Sequence, residues 1–163
     1  MRVLTICHFR MDAYKTLEAM RVAKYIEKNG KEPHPYFLSE FKVKKPKTAA
    51  QLEALIVEMI ELASGVCTKV YSGGRRIVTK TNVTDVTGRR NSITDDKFVP
   101  STTEKGTSDL IACIKGRAYY LEVKFAKSDR QSADQKQFQM KVERAGAPYL
   151  IIKTLDEVLP LLS

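Results

Sequence analysis

Three ionisable residues fall at spacings that could support metal-dependent hydrolysis. Asp109 lies in a strand-like stretch at 106–114, and Glu122 and Lys124 lie two residues apart in a second stretch at 119–125. Residues two apart on a strand point to the same face, so we expect the carboxylate and the ammonium side by side. Two carboxylates can hold a divalent cation, and a lysine can position or deprotonate a water. Metal-dependent phosphodiester hydrolysis needs this combination of groups.

The same pattern has a simpler interpretation that the three residues alone do not exclude. Glu-x-Lys on a strand is also typical of a solvated face that carries a weak ion pair. Tyr119, Leu121, Val123 and Phe125 are predicted on the opposite, apolar face. The elements around the strand therefore decide between the two interpretations.

Residues 48–63 are predicted to form a helix with an apolar stripe, and Gly65 is predicted to end it. Thr48 and Gln51 fit a capping box at its start. At about 100° per residue, Glu53 lies at the border of the stripe, whereas Glu58 and Glu61 face water. Glu53 is therefore the candidate for a third acid, because a border glutamate can reach the edge of a buried sheet.

A second helix is predicted to begin at Ser132, with Gln135 completing its capping box, and to end near residue 145. A buried apolar strand at 149–152 follows, and then a short closing helix with a third capping box at Thr154 and Glu157. Upstream we predict a strand at 66–71, a hairpin pairing 77–80 with 83–86, and a loop over 95–108. This order predicts an α/β fold in which helices flank a central mixed sheet.

Residues 1–47 are predicted to be a basic accessory segment. A strand is expected at 2–7 and a helix from Asp12 to about residue 28, where Asn29 and Gly30 end it. A basic connector at 41–47 leads into the main domain, 48–163. It is either a phosphate-binding arm or a solvated linker.

The charge of the chain favours a polyanionic partner, although a merely basic protein is the alternative. The 163 residues carry a net charge of +9, with a pI of about 9.5, and nucleic acid is the usual partner of such a chain. The candidate phosphate contacts are Lys42, Lys44, Lys45 and Lys47 in the connector and the pairs Arg75–Arg76 and Arg89–Arg90 on two turns. Solvated turn charges are the alternative for the arginines.

Other features of the composition indicate a cytosolic protein of one domain. No apolar run approaches the roughly 18 residues of a membrane span, so we expect no membrane association. The three cysteines show no pairing or zinc pattern. With only two histidines, His-based catalysis is not expected.

Several of these residues together resemble a known nuclease pattern. Gly106-x-x-Asp109-Leu110 is followed by Glu122-Val123-Lys124, then by Ser132-x-x-Gln135 at the start of a helix, and then by a glycine and an apolar strand. This order resembles the PD-(D/E)XK nuclease superfamily, and within it most closely the virus-type replication-repair nuclease (VRR-NUC) family. The resemblance covers residues 48–163. Ser108 replaces the family's usual proline, and the insertion at about 74–106 is longer than usual.

The resemblance implies a restriction-endonuclease-like fold and a hydrolysis that leaves a 5′-phosphate. Asp109 and Glu122 would bind Mg²⁺ or Mn²⁺ with the carbonyl of Val123, and Glu53 would complete the shell or help to hold a second ion. Lys124 would orient the attacking water, and Gln135 would steady the lysine or the water. The implied substrate is branched DNA such as Holliday junctions or flaps. Small stand-alone members of such families often work as homodimers, although no dimer face is evident in this sequence.

Two other functions stay open at this point. One is a non-catalytic nucleic-acid-binding module on the same fold, although the intact Asp109, Glu122 and Lys124 weigh against it. The other is a sequence-specific restriction-type endonuclease, which would cut one linear duplex site.

Overall fold

The chain forms a mixed α/β structure in which helices flank a four-stranded mixed sheet. The computed structural model describes residues 12–71, 73–84, 87–99 and 103–163. Its helices are α1 (Ala13–Asn29), α2 (Ala49–Leu62), α3 (Ala133–Arg144) and α4 (Leu159–Leu162), with 3₁₀ helices at Pro35–Phe41 and Leu155–Val158. Its strands are β1 (Val66–Lys69), β2 (Arg75–Thr84), β3 (Arg90–Val99), β4 (Leu110–Ile114), β5 (Arg117–Val123) and β6 (Tyr149–Ile152).

The four-stranded sheet has the order β1-β4-β5-β6. The β1–β4 and β4–β5 pairs are antiparallel, and the β5–β6 pair is parallel because α3 crosses over between these two strands. The prediction of a mixed sheet flanked by helices is confirmed at this level.

The apolar stripe predicted on α2 faces the core. Leu52, Ile56 and Ile60 are fully buried there. Ala13 and Leu17 of α1 belong to the same core cluster, and the Ala13 amide donates a hydrogen bond of 3.0 Å to Asp156. The described part of the predicted accessory segment, 12–47, therefore packs on the core of the main domain. The strand predicted at 2–7 lies outside the described residues.

Helices α1, α2 and α3 begin at the predicted caps Asp12, Thr48 and Ser132. Asp12 accepts a hydrogen bond from the backbone of α1, and Gly30 ends that helix at a φ of +68°. Ser132 and Gln135 form the complete, reciprocal capping box of α3.

The other two predicted capping boxes are incomplete. Thr48 accepts from the Gln51 amide, but the Gln51 side chain accepts from the amide before the cap. Thr154 makes no capping bond with its side chain, and Glu157 accepts from the amide of Lys153, the residue before Thr154. In both cases the side chain at the third helical position reaches one residue further back than the prediction required.

Strands β2 and β3 lie between β1 and β4 in the sequence and form a separate two-stranded ribbon. Arg75 pairs with Val99 and Thr84 with Arg90, so the predictions of a hairpin between 77–80 and 83–86 and of a loop at 95–99 are wrong. Gly88 has a φ of +83°, which moves the turn beyond residue 84. Arg75 and Arg76 consequently lie in β2 and not on a turn.

The turn between β4 and β5 consists of two residues. Lys115 and Gly116 have φ values of +51° and +77°, as a two-residue hairpin turn requires, and Arg117 already pairs with Ile114. Strand β5 ends at Val123, so Lys124 directly follows its last residue.

Two further observations concern membrane-spanning helices and the cysteine thiols. In the ranges that the structure describes, no helix is long and apolar enough to cross a membrane. Cys67 is buried, Cys113 is exposed, and both thiols are free.

Candidate active site

Glu122 lies at the centre of the predicted site and is buried. Its residue exposure is 1%, and α3 covers this face of the sheet, where Phe138 contacts Tyr120 edge to face at 5.9 Å. The interpretation of Glu-x-Lys as a solvated face is therefore wrong for this strand.

Three side chains donate to the carboxylate of Glu122. Lys124 Nζ lies 2.8 Å from Oε1, Gln135 Nε2 donates to Oε1 at 2.6 Å, and the Tyr149 hydroxyl donates to Oε2 at 3.0 Å. The sequence prediction missed Tyr149, which it treated only as part of a buried strand. A tyrosine in such a strand needs a partner for its hydroxyl, and this was the available signal.

Gln135 connects the start of α3 to both charged groups. Its Oε1 accepts from the Ser132 amide at 2.9 Å and from Lys124 Nζ at 3.1 Å, while its Nε2 donates to Glu122. The side chain thus caps the helix and contacts the lysine at the same time, as the sequence allowed.

Asp109 precedes β4 and contacts the same part of β5. Its Oδ2 accepts a 2.9 Å hydrogen bond from the amide of Val123, the residue between Glu122 and Lys124. No observation tests the predicted role of the Val123 carbonyl, which stays a prediction. Ser108 is fully buried and donates to the carbonyl of Leu110 at 3.1 Å.

Gly106 brings the loop before Asp109 onto the first turn of α3. Its φ is +79°, and a Cβ here would overlap the carbonyl of Asp134 and lie 2.6 Å from the Gln135 nitrogen. Only glycine fits this close approach, which sets the loop carrying Asp109 next to the helix carrying Gln135.

Glu53 points toward the sheet, as its position at the border of the stripe predicted. Its side chain is 13% exposed and forms an ion pair with Lys69 of β1. Lys69 lies opposite Leu110 in the β1–β4 register, next to Asp109. The sequence prediction missed Lys69, because its position beside Asp109 follows only from the pairing of two strands distant in sequence.

The prediction that Glu58 faces water is wrong, and the same prediction for Glu61 is confirmed. Glu58 accepts two hydrogen bonds from the Arg21 guanidinium, at 2.6 and 2.7 Å, because α1 packs along this face of α2. Glu61 is exposed.

Burial and neighbouring carboxylates raise the pKa of Asp109 and of Glu122. Burial raises the pKa of Asp109 above its ordinary value and the Glu53 charge adds to this, whereas the Val123 amide and the charges of Lys124 and Lys69 oppose it. Burial also raises the pKa of Glu122, with a further contribution from Asp109, against the bond from Lys124. The site therefore concentrates negative charge that two ammonium groups partly balance.

The acidic side chains of the site offer the type of ligand atom that a hard divalent cation prefers. Asp109, Glu122 and Glu53 offer only oxygen ligands, which Mg²⁺ and Mn²⁺ prefer. The Oε2 atom of Glu53 is buried, and the Lys69 ammonium approaches it outside hydrogen-bond geometry. Among the described residues, no group of three His, Cys, Asp or Glu side chains is gathered closely enough to hold an ion. The structure brings Asp109 and Glu122 together and leaves Glu53 paired with Lys69.

The predicted phosphate contacts lie on two other parts of the molecule. The four connector lysines line a cavity of about 550 Å³ together with residues of α1 and α2, and the Val43 amide is anchored to Glu18 at 2.8 Å. Arg76 forms an ion pair with Asp96 across the ribbon, while Arg89 and Arg90 lie at the ribbon's tip.

Comparison with protein-family models, with curated proteins and with solved structures finds no match to this chain.

Proposed function

We propose that the chain is a metal-dependent deoxyribonuclease with a restriction-endonuclease-like fold, similar to the VRR-NUC family of PD-(D/E)XK nucleases. The observation that carries this proposal is the hydrogen-bonded group of Glu122, Lys124 and Gln135, beside which Asp109 accepts from the amide of Val123. These residues come from three elements, and the carboxylate at the centre of the group is buried.

A purely structural ion pair explains this arrangement less well. Burying charged groups has a desolvation cost that their attraction often fails to offset, so a stable core would be easier to build from apolar residues. Here burial raises the pKa of both Asp109 and Glu122, and a neighbouring carboxylate adds to each rise, Glu53 for Asp109 and Asp109 for Glu122. Buried acids with pKa values perturbed by specific neighbours are typical of functional sites.

In the proposed mechanism, Asp109 and Glu122 hold Mg²⁺ or Mn²⁺, and the carbonyl of Val123 and Glu53 supply further oxygen atoms. The bound ion supplies Lewis-acid chemistry and lowers the pKa of a bound water. Lys124 positions the attacking water and stabilises the negative charge that develops on the phosphate. Gln135 fixes the ammonium of this lysine, and Tyr149 fixes the orientation of the Glu122 carboxylate.

The proposed substrate is DNA, cut selectively at branched structures. The net charge of +9, the lysine-lined cavity and the basic tip of the ribbon support a polyanionic partner, and the preference for branches is what the family resemblance implies. Affinity for DNA should therefore fall steeply with salt concentration.

The test uses labelled linear, flap, fork and four-way DNA with Mg²⁺ or Mn²⁺. Asp109→Asn and Glu122→Gln should each lower the cleavage rate by about a hundredfold or more and should retain DNA binding. Glu27→Gln is the matched control, because this exposed acid lies on α1 outside the site, and it should cleave at the wild-type rate. Wild-type rates in both site variants would contradict the proposal.

A binding experiment distinguishes the nuclease from an inactive module. Mn²⁺ should raise the melting temperature of the wild type, because a ligand that binds only the folded state stabilises it. Glu122→Gln should remove that rise. An equal rise in both proteins would mean that the ion binds elsewhere.

A further inference from the structure

We infer that Lys69 holds Glu53 in the metal-free protein and competes with the divalent cation for this carboxylate. The inference rests on the proposed function, because it takes the cation site as given. It assigns a role to a lysine outside the Asp-Glu-x-Lys pattern.

The pairing of β1 with β4 places Lys69 next to Asp109. Lys69 is the last residue of β1, and the next amide, that of Val70, donates to the carbonyl of Asp109 at 2.8 Å. The Lys69 side chain forms an ion pair with Glu53 of α2, and its charge also acts on Asp109. One ammonium thus lies between the third acid and the first.

The two lysines of the site differ in their freedom to move. The Lys124 side chain is 12% exposed and is held by both Glu122 and Gln135. The Lys69 side chain is 39% exposed, and together with Glu53 it lines an open cavity of about 340 Å³. Lys69 therefore has room to leave the carboxylate, whereas Lys124 is fixed by its contacts.

The charges of the site predict how removal of the Lys69 ammonium changes cation affinity. Asp109, Glu122 and Glu53 carry three negative charges, which Lys69 and Lys124 balance only in part. A divalent cation that binds Glu53 takes over the role of the Lys69 ammonium, so the ammonium must leave before the full oxygen set is available. Removing the ammonium should therefore tighten cation binding, although it removes a contact.

Titration of Mn²⁺ by calorimetry, without DNA, tests whether loss of the Lys69 ammonium tightens or weakens cation binding. Lys69→Met should bind Mn²⁺ about fivefold more tightly than the wild type, as loss of a partly exposed ion pair permits. Lys69→Arg, which keeps the charge, should bind within about twofold of the wild type. Weaker binding by the methionine variant would overturn the inference, because it would show that Lys69 only supports the position of Glu53.

A double-mutant cycle separates competition at Glu53 from a general effect of charge. In a Glu53→Gln background, Lys69→Met should raise Mn²⁺ affinity by no more than about twofold, since the carboxylate for which the lysine competes is gone and only its effect on Asp109 remains. An equal gain in both backgrounds would overturn the inference, because the lysine would then act on the site as a distant charge. Absence of Mn²⁺ binding by the wild type would instead contradict the proposed function itself.

Discussion

The carboxylate of Glu122 is surrounded by donors from Lys124, Gln135 and Tyr149. Such a group does not need to be reoriented when a ligand arrives, because packing and hydrogen bonds already fix it. Tyr149 contributes to this fixed geometry, and its contact with Glu122 raises the pKa of the phenol further above the level set by burial. The phenol therefore remains a hydrogen-bond donor at neutral pH.

Asp109 should make the metal-free protein less stable as the pH rises. Burial raises its pKa in the folded state, so the folded protein binds this proton more tightly than the unfolded chain. The stabilisation is complete below the unfolded pKa of about 4 and is lost as the pH rises through the folded value. The charged groups facing Asp109 are Glu53 of α2, Lys69 of β1, and Glu122 and Lys124 of β5 and its end.

Asp109→Asn tests this dependence, because asparagine cannot titrate and its carbonyl can still accept from the Val123 amide. The free energy of unfolding of the variant, minus that of the wild type, should increase from pH 4 upward in urea titrations without metal. A difference that stays constant between pH 4 and 7 would contradict the raised pKa.

At the scale of single residues, the sequence predicted the site where local spacing was enough. Glu122 and Lys124 follow from alternation along one strand, and Gln135 follows from the capping box of α3. Tyr149 and Lys69 could not be predicted, because their contacts depend on the parallel pairing of β5 with β6 and on the antiparallel register of β1 with β4.

Among the elements, the approach of Gly106 to α3 decides how the two halves of the site meet. Gly106→Ala should lower the free energy of unfolding by about 2–4 kcal/mol, since it combines backbone strain with overlap against α3. Gly146→Ala is the matched control, because Gly146 has a φ of +88° but nothing within 4 Å of an added Cβ. It should cost only the strain, about 1–2 kcal/mol.

Chemical denaturation of both variants measures this difference. Equal destabilisation would mean that the contact between Gly106 and α3 does not matter. A parallel loss of Mn²⁺ affinity in Gly106→Ala alone would show that the contact also positions Asp109.

Sequence patterns predicted the elements better than their ends. Helices α1, α2 and α3 begin where their caps indicated, because capping is a local interaction. The ribbon was wrong in register because Thr, Val and Ile occur throughout 75–99, so no alternation specified the pairing. The turn of the ribbon includes Gly88 at a positive φ, and residue type alone does not show which glycine adopts such a conformation.

At the scale of the whole molecule, the ribbon is an addition to a complete sheet. The Val70 amide donates to the Asp109 carbonyl at 2.8 Å, and the Thr103 hydroxyl donates to the carbonyl of Tyr71 at 3.0 Å. These two bonds close the base of the insertion beside the site. The fold class could be predicted from element order, whereas the packing of 12–47 on the same core could not.

Replacing residues 73–103 by a short Gly-Ser linker should separate binding of the ion from binding of DNA. The rise in melting temperature with Mn²⁺ should persist, because Asp109 and Glu122 keep their supports. DNA affinity should fall and depend less steeply on salt, since the change removes six basic and three acidic residues. Fluorescence anisotropy over a salt series measures this, and unchanged affinity would contradict a role for the ribbon in DNA binding.

The insertion also bears on how the chain reaches its native state. About forty residues separate Lys69 from its partner Leu110, and closing a loop of that length has an entropic cost. A hairpin zips locally within microseconds, so early formation of β2–β3 leaves an effective loop of about fifteen residues to close. By the same logarithmic law this saves about 1 kcal/mol. We therefore expect the ribbon to form first and to bring the two ends of the insertion together before β1 and β4 pair.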